Sequence, residues 1–110
     1  MIYLDARGSG LYIVKILIKD VNILAVTELK ENIRQAIAEK DIKKMVIDFS
    51  DVKFFTSTGI GIFLNIHQIV KSELKFACLN DDIKRAIELT KVISVIKVYD
   101  SVSDAISDFD

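Results

Sequence analysis

The sequence predicts one α/β domain over residues 1–110, a sandwich in which about four α-helices cover a mixed β-sheet. Two observations predict this fold class. Short runs rich in β-branched and aromatic residues alternate with longer segments whose apolar residues recur every three or four positions. The connections are short, and no linker or low-complexity segment interrupts them. Such an order favours later strands that are parallel and joined by right-handed crossovers.

A β-hairpin is predicted at the start of the chain. Residues 2–4 and 11–18 are predicted strands, because they are rich in β-branched and aromatic residues. The segment between them, Ala6-Arg7-Gly8-Ser9-Gly10, contains two glycines that permit a turn.

The first helix is predicted from Asn22 to Glu39, because its apolar residues recur at helical spacing. They are Val26, Leu29, Ile33, Ala36 and Ile37. The charged residues fall on other positions: Glu28, Lys30, Glu31, Arg34 and Glu39. We expect this charged face to be a solvated surface, with a docking role as the less favoured alternative.

A buried strand and a deeply packed helix are predicted next. Met45-Val46-Ile47 is a continuous apolar run ended by Asp48, which suits a central strand covered on both faces. The second helix is predicted over residues 57–70, and the width of its apolar stripe indicates deep burial. That stripe consists of Ile60, Phe63, Leu64, His67 and Val70, flanked by Ile62, Ile66 and Ile69.

The remaining predicted elements are a strand over residues 74–79, a helix over 81–90, a strand over 96–99 and a final helix. The final helix carries Val102, Ala105, Ile106 and Phe109. The single cysteine, Cys78, lies in the predicted strand over residues 74–79, so no internal disulfide forms and we expect a small core residue there.

The composition excludes several functional classes. With 51% hydrophobic residues the chain can bury a core, which argues against disorder. Its 15 basic and 16 acidic residues give a net charge of -1 without a block of one sign, which disfavours binding to nucleic acid. The N-terminus lacks a signal-peptide pattern, and no run approaches the roughly 18 apolar residues that span a bilayer. We therefore expect a cytoplasmic protein that is not inserted in a membrane.

Three adjacent hydroxyls, Thr56-Ser57-Thr58, stand where the chain passes from a loop into the second helix. The simplest interpretation is a helix N-cap, in which a hydroxyl accepts a hydrogen bond from a free backbone N–H. The functional alternative is a phosphate, bound or covalently attached, because helix N-termini attract anions. Gly59 and Gly61 would allow close approach of a partner's backbone.

These residues resemble the phosphorylation site of the STAS domain family, of the type found in anti-sigma factor antagonists. The family pattern is an apolar strand, Asp-Leu-Ser, an apolar loop, and then Asp-Ser-Ser-Gly-Leu-Gly opening a helix. Asp48-Phe49-Ser50 and the segment Thr56-Ser57-Thr58-Gly59-Ile60-Gly61 match it in order. The order of the other predicted elements also follows the family over nearly the whole chain, which implies a STAS-like sandwich.

The resemblance implies a phosphoacceptor at Thr58, with Ser57 as the alternative. This sequence departs from the family pattern at three positions. Thr56 replaces the aspartate of the motif, Thr58 replaces the usual serine, and Asn22 stands where an acidic residue often follows the second strand. Thr56 can still cap the helix, while the negative charge beside the acceptor is lost.

The resemblance also implies the partners. The unphosphorylated protein would bind an anti-sigma factor with a histidine-kinase-like ATPase fold, and a serine/threonine phosphatase would reset the phosphorylated form. The protein would supply neither a catalytic group nor a cofactor site. The implied partner-binding residues are Asn22, Ser50, Asp51, Thr56, Ser57, Gly59 and Gly61.

Two other functional hypotheses stay open. One is a STAS interaction module that works without phosphorylation, as a scaffold or as an accessory subunit of a transporter. The other is a sensor or enzyme that holds a phosphate-bearing ligand at the same helix start. A receiver domain is disfavoured, because the first two predicted strands do not end in the cluster of acidic residues that such a domain needs. Nucleotide-binding enzymes are disfavoured as well, because the sequence contains none of their glycine motifs. His67 is the only histidine, so a histidine-based metal site or Ser–His pair has little support.

Overall fold

The computed structural model describes residues 1–70 and 73–109. In chain order the strands are β1 (Ile2–Ala6), β2 (Leu11–Ile16), β3 (Asp20–Val21), β4 (Lys44–Asp48), β5 (Phe54–Phe55), β6 (Glu73–Ala77) and β7 (Lys97–Tyr99). The α-helices are α1 (Ile23–Lys40), α2 (Ser57–Val70), α3 (Asp81–Glu88) and α4 (Val102–Ser107). Five strands form one sheet in the order β1-β2-β4-β6-β7, in which β1 and β2 are antiparallel and the other pairs parallel. The predicted α/β fold, with a hairpin opening a mixed sheet and four helices, is confirmed.

The opening hairpin forms as predicted, but its second strand is shorter. Its turn has positive φ angles at three consecutive residues, Gly8 (+83°), Ser9 (+56°) and Gly10 (+79°), which explains the two glycines. The predicted strand reaches Ile18, whereas β2 ends at Ile16, because the chain then leaves this sheet and enters a second one.

Among the described residues, β3 and β5 make up the second sheet. Val21 lies opposite Phe55 in this parallel pair. The carbonyl oxygen of Lys19 accepts hydrogen bonds from the backbone N–H groups of Lys53 (2.8 Å) and Phe54 (3.0 Å). The sequence does not predict these strands, because two residues are too few for an alternating pattern to be recognised.

The main core lies between the large sheet and the helices α1, α2 and α3. Met45, Val46 and Ile47 are buried in β4, which confirms the prediction of a central strand. Successive side chains of a strand point to opposite faces, so Met45 and Ile47 join this core and Val46 packs on the other side. Four phenylalanines pack together in the core with neighbouring ring centroids 5.1–5.8 Å apart: Phe49, Phe55, Phe63 and Phe76.

The buried stripe of α2 is rotated relative to the prediction. Ile60, Phe63 and Ile66 are buried, whereas Leu64 and His67 are only half-buried. The ring of Phe63 packs edge-on against Phe76 of β6. The buried face of α2, formed by Ile60, Phe63 and Ile66, therefore faces the sheet. The side chains of Ile69 and Val70 lie outside the described part of the structure.

In the last third of the chain a strand and a helix each end two residues earlier than predicted. The predicted strand over residues 74–79 ends at Ala77, because Cys78 takes a positive φ of +64° that a strand does not continue through. The helix predicted to residue 90 ends at Glu88, and a 3-10 helix follows at Lys91–Ser94. Thr90 caps this short helix by accepting a hydrogen bond from Val92 N–H at 3.2 Å.

Cys78 is half-buried and packs against the small apolar cluster under α4. Burial raises the pKa of its thiol, and the nearby Asp48 carboxylate raises it further. Cys78 therefore packs at the edge of this cluster and is less deeply buried than the core residue that the sequence predicts.

Helix α4 covers the second face of the sheet over a buried lysine. Lys75 is 6% exposed, and its Nζ lies 3.9 Å from the ring centroid of Phe109. The same Nζ lies 3.6 Å from Asp108 Oδ2, which also accepts a hydrogen bond from the Tyr99 hydroxyl. An aromatic face and a carboxylate together compensate the burial of the ammonium group.

The contacts of Asp108 predict a stability profile with losses at both ends of the pH scale. The hydrogen bond to Asp108 raises the pKa of Tyr99 to about 12. The stability that this bond contributes is therefore present below the unfolded-state pKa of about 10, and it is lost as pH rises from there toward 12. The same bond, followed by the charge of Lys75, lowers the pKa of the Asp108 carboxyl. The stability that the ionised carboxyl contributes is therefore present above the ordinary pKa of an aspartate, and it is lost as pH falls below that value.

Ultraviolet absorbance titration measures the tyrosine part of this prediction. One of the three tyrosines should ionise with a midpoint near 12, and Tyr99→Phe should remove that step. A titration that keeps the late step in Tyr99→Phe would show that this hydrogen bond does not form in solution.

Candidate partner-binding site

The segment that leaves the central strand is held from both sides. The buried side chains of Phe49 and Val52 fix the loop after β4 to the core. The Asp48 carboxylate accepts a hydrogen bond from Ser50 N–H at 2.9 Å, and Lys15 Nζ lies 3.7 Å from Asp51 Oδ2. Ser50 and Asp51 themselves are exposed, so two of the predicted partner-binding residues lie on the surface of this loop.

The second sheet joins the starts of α1 and α2. Val21 and Phe55 are paired across it, and in each segment a helix begins two residues later, at Ile23 and at Ser57. Asn22 is the N-cap of α1 and accepts a hydrogen bond from Ala25 N–H at 3.0 Å. Thr56 N–H donates to the carbonyl oxygen of Val21 at 3.0 Å. Asn22 and Thr56, far apart in sequence, are therefore neighbours at one end of the fold.

Helix α2 begins immediately after Thr56. The Thr56 carbonyl accepts hydrogen bonds from the N–H groups of Gly59 (2.9 Å) and Ile60 (3.2 Å). Ser57 and Thr58 are the first two residues of the helix, and their hydroxyl groups lie outside the described part of the structure. The first turn contains no acidic residue. A negative charge added here would meet the positive end of the helix dipole without a competing carboxylate in that turn.

The two glycines of the motif have different surroundings. Gly59 is buried, and a Cβ at this position would lie 2.5 Å from Phe55 Cε1 and 2.8 Å from Val26 Cγ2. Gly61 is exposed, and a Cβ there would meet no described atom within 4 Å. Gly59 thus allows α2 to pack closely on α1 and β5, while Gly61 is the glycine that a partner can reach.

An open cleft of about 630 Å³ lies beside the joined helix starts. Asn22 and Thr56 line it together with apolar residues of α1, β5 and α3. Asn80 holds α3 at this position, because its amide Nδ2 donates to the Lys53 carbonyl at 3.0 Å while its Oδ1 caps α3 at Ile83 N–H. The cleft was not predicted from the sequence.

Two sequence signals point to the cleft. Ile23 and Leu24 directly follow an N-cap asparagine but fall outside the apolar stripe of the first helix. Phe54 and Phe55 are adjacent in a strand, so one of the two rings has to leave the core. The structure buries part of Phe55 and exposes Phe54.

The described residues contain neither a candidate metal cluster nor a membrane-spanning helix. Among residues 1–70 and 73–109 no group of three His, Cys, Asp or Glu side chains is placed to hold a metal ion. Within the same ranges no helix is long and apolar enough to cross a bilayer. His67 lies on α2 with a buried Nδ1 that has no hydrogen-bond partner in the described part of the chain.

The family follows from comparison with known proteins. A model of the STAS domain matches residues 4–105 of this chain. The chain belongs to the STAS domain family. The resemblance that the hydroxyl motif predicts is thereby confirmed at the level of the family.

Individual relatives agree with this assignment. A Thermotoga maritima protein, named as a proposed anti-sigma factor antagonist, is 27% identical to this STAS domain over 93 residues, which cover 82% of each chain. The fold is similar to the anti-sigma factor antagonist SpoIIAA in its unphosphorylated form, with a TM-score of 0.81, 12% identity and coverage of 99% of this chain and 96% of that one. The Bacillus cell fate determinant SpoIIAA in its phosphorylated form gives a TM-score of 0.72 with 13% identity and 100% coverage of both chains.

Proposed function

We propose that this protein is a single-domain, cytoplasmic anti-sigma factor antagonist over residues 1–110. In its unphosphorylated state it binds an anti-sigma factor with a histidine-kinase-like ATPase fold, and the sigma factor is released. Phosphorylation of Thr58 inactivates it, and a serine/threonine phosphatase restores it. The observation that carries the proposal is the joined pair of helix starts, in which Thr56 N–H bonds to Val21 and α2 opens with Ser57 and Thr58.

The names of the relatives support the same function. The Thermotoga maritima relative is named for anti-sigma factor antagonism, and SpoIIAA is described in unphosphorylated and phosphorylated forms. A fold neighbour described in both states supports a phosphorylation switch, which we propose to act at Thr58 in this chain.

The chemistry assigned to this chain is that of a substrate. The Thr58 hydroxyl oxygen attacks the γ-phosphorus of ATP held by the partner, the bond to the β,γ-bridging oxygen breaks, and ADP leaves. The hydroxyl proton passes to a base of the partner kinase. The free N–H groups and the dipole at the start of α2 then stabilise the phosphate.

The effect of the phosphate is expected at the interface and not in the core. A phosphothreonine adds about -1.5 to -2 charges at neutral pH. The first turn of α2 contains no acidic side chain to repel this charge, so the fold is retained. A partner surface packed against the helix start would instead have to bury the phosphate or withdraw from it.

Intact-mass measurement after incubation with ATP and the purified cognate anti-sigma kinase tests the acceptor. The wild type and Ser57→Ala should each gain one phosphoryl group, and Thr58→Ala should gain none. Loss of the modification in Ser57→Ala with retention in Thr58→Ala would transfer the assignment to Ser57. Unchanged modification in both single variants would remove the assignment from this motif.

Calorimetric titration with the same kinase tests the switch. Thr58→Glu should weaken binding by at least about tenfold, because it adds a charge where the partner packs, and Thr58→Gln controls for the larger side chain. Equal affinities for the wild type, the Glu variant and the Gln variant would favour the phosphorylation-independent interaction module instead.

A further inference from the structure

Three large apolar side chains are exposed around the cleft. The exposed fractions are 67% for Ile23, 88% for Leu24 and 65% for Phe54. All three line the cleft, together with Ile83 and Ala86 of α3. Single exposed apolar residues are ordinary on protein surfaces, but a cluster around a concavity is typical of an interaction surface.

The shape of this cluster favours a macromolecule over a small ligand. Small-ligand sites enclose most of the surface of their ligand. Leu24 projects from the first turn of α1, and a small molecule inside the cleft would leave most of this side chain in water. Covering Ile23, Leu24 and Phe54 together requires the surface of another protein.

The charges of the cleft restrict the chemistry of that surface. Two carboxylates, Asp20 and Asp82, and one ammonium group, Lys53, line the cleft. In the described part of the chain neither Asp20 nor Lys53 makes an ion pair, and Asp82 only approaches Arg85 at 3.8 Å with both side chains largely exposed. The cleft therefore has an excess negative charge and an available carboxylate at Asp20, which complements a basic side chain.

We infer that this cleft binds a segment of the anti-sigma factor that presents large apolar side chains together with a lysine or arginine. The inference rests on the proposed function, which supplies the partner. The cleft is continuous with the proposed switch, because Asn22 and Thr56 line the cleft and lie at the two helix starts. The apolar cleft provides affinity, and the hydroxyl at the start of α2 controls whether the partner stays.

Substitution at Leu24 tests the cleft with a matched control. Leu24→Ser should weaken binding to the purified anti-sigma kinase by at least about tenfold in calorimetric titration. Leu89→Ser is the control, because Leu89 is 85% exposed but does not line the cleft, and its affinity should equal that of the wild type. Both side chains are outside the core, so the thermal unfolding midpoints of the two variants should stay close to that of the wild type.

A charge reversal at Asp20 tests whether the partner contributes a lysine or arginine to the cleft. Asp20→Lys should weaken binding more than Asp20→Asn, and raising the salt concentration should reduce the difference between them. Equal affinities for Asp20→Lys and the wild type would overturn the requirement for a basic side chain.

The outcomes separate this inference from the proposed function. If the wild type binds the kinase and is phosphorylated while Leu24→Ser binds equally well, the cleft assignment is wrong and the proposed function stands. If the wild type neither binds nor is phosphorylated, the proposed function itself is wrong. Sedimentation equilibrium of the free protein adds one more outcome, since a dimer that Leu24→Ser abolishes would make a second copy the occupant and overturn the inference.

Discussion

Phe49→Ala is expected to lower the free energy of unfolding by about 3–5 kcal/mol. Phe49 is 1% exposed, and its ring contacts those of Phe55, Phe63 and Phe76 at centroid distances of 5.1–5.8 Å. The substitution leaves a cavity between α2 and the large sheet that the surrounding rings fill only in part. It also removes the side chain that anchors the loop leading to the candidate site.

Urea denaturation followed by circular dichroism measures this loss. Phe54→Ala is the matched control, because the Phe54 ring is 65% exposed and its removal should change the free energy of unfolding by less than about 0.5 kcal/mol. Phe49→Leu keeps the variant measurable if the alanine variant is too unstable. A Phe49→Ala protein as stable as Phe54→Ala would contradict the packing of the four rings.

Gly59→Ala is expected to destabilise the protein by about 1–3 kcal/mol, although alanine is normally the better helix former. The added methyl group would lie 2.5 Å from Phe55 Cε1 and 2.8 Å from Val26 Cγ2. Phe55 cannot simply swing away, because its ring packs on Phe49 and Phe63 at 5.7 Å. The start of α2 would have to move away from α1, against the hydrogen bond that fixes Thr56 to Val21.

Gly61→Ala on the same helix provides the opposite expectation. Its methyl group would meet no atom of the described residues within 4 Å, so the better helix propensity of alanine should stabilise the protein by about 0.5–1 kcal/mol. Thermal unfolding of the two variants side by side measures the contrast. Equal unfolding midpoints would show that the start of α2 is not packed as the structure describes. Weaker kinase binding by the more stable Gly61→Ala would add support for close partner contact at Gly61.

The long elements and the motif could be predicted from the sequence because they depend on local patterns. Helical spacing identifies α1 over nearly its whole length, and a continuous apolar run identifies β4. The order of hydroxyls and glycines at residues 56–61 places the candidate site at the start of α2. In each case a property of neighbouring residues determines the structure.

Features that depend on distant residues could not be predicted in this way. The strands β3 and β5 form only because Lys19 and Val21 bond to the segment at residues 53–56. The packing role of Gly59 depends on Val26, which lies on another helix. The cleft combines side chains from α1, β5 and α3, so no single segment reveals it.

The pairing of β3 with β5 determines which rate constant of binding is expected to change when a contact to a partner is removed. One short ladder fixes the starts of α1 and α2 relative to each other before any partner arrives. A preorganised surface of this kind loses little conformational entropy when a partner binds to it. Substitutions at Asn22, Leu24 or Gly61 that lower the affinity should therefore mainly raise the dissociation rate, because a contact is lost directly. The association rate should change little.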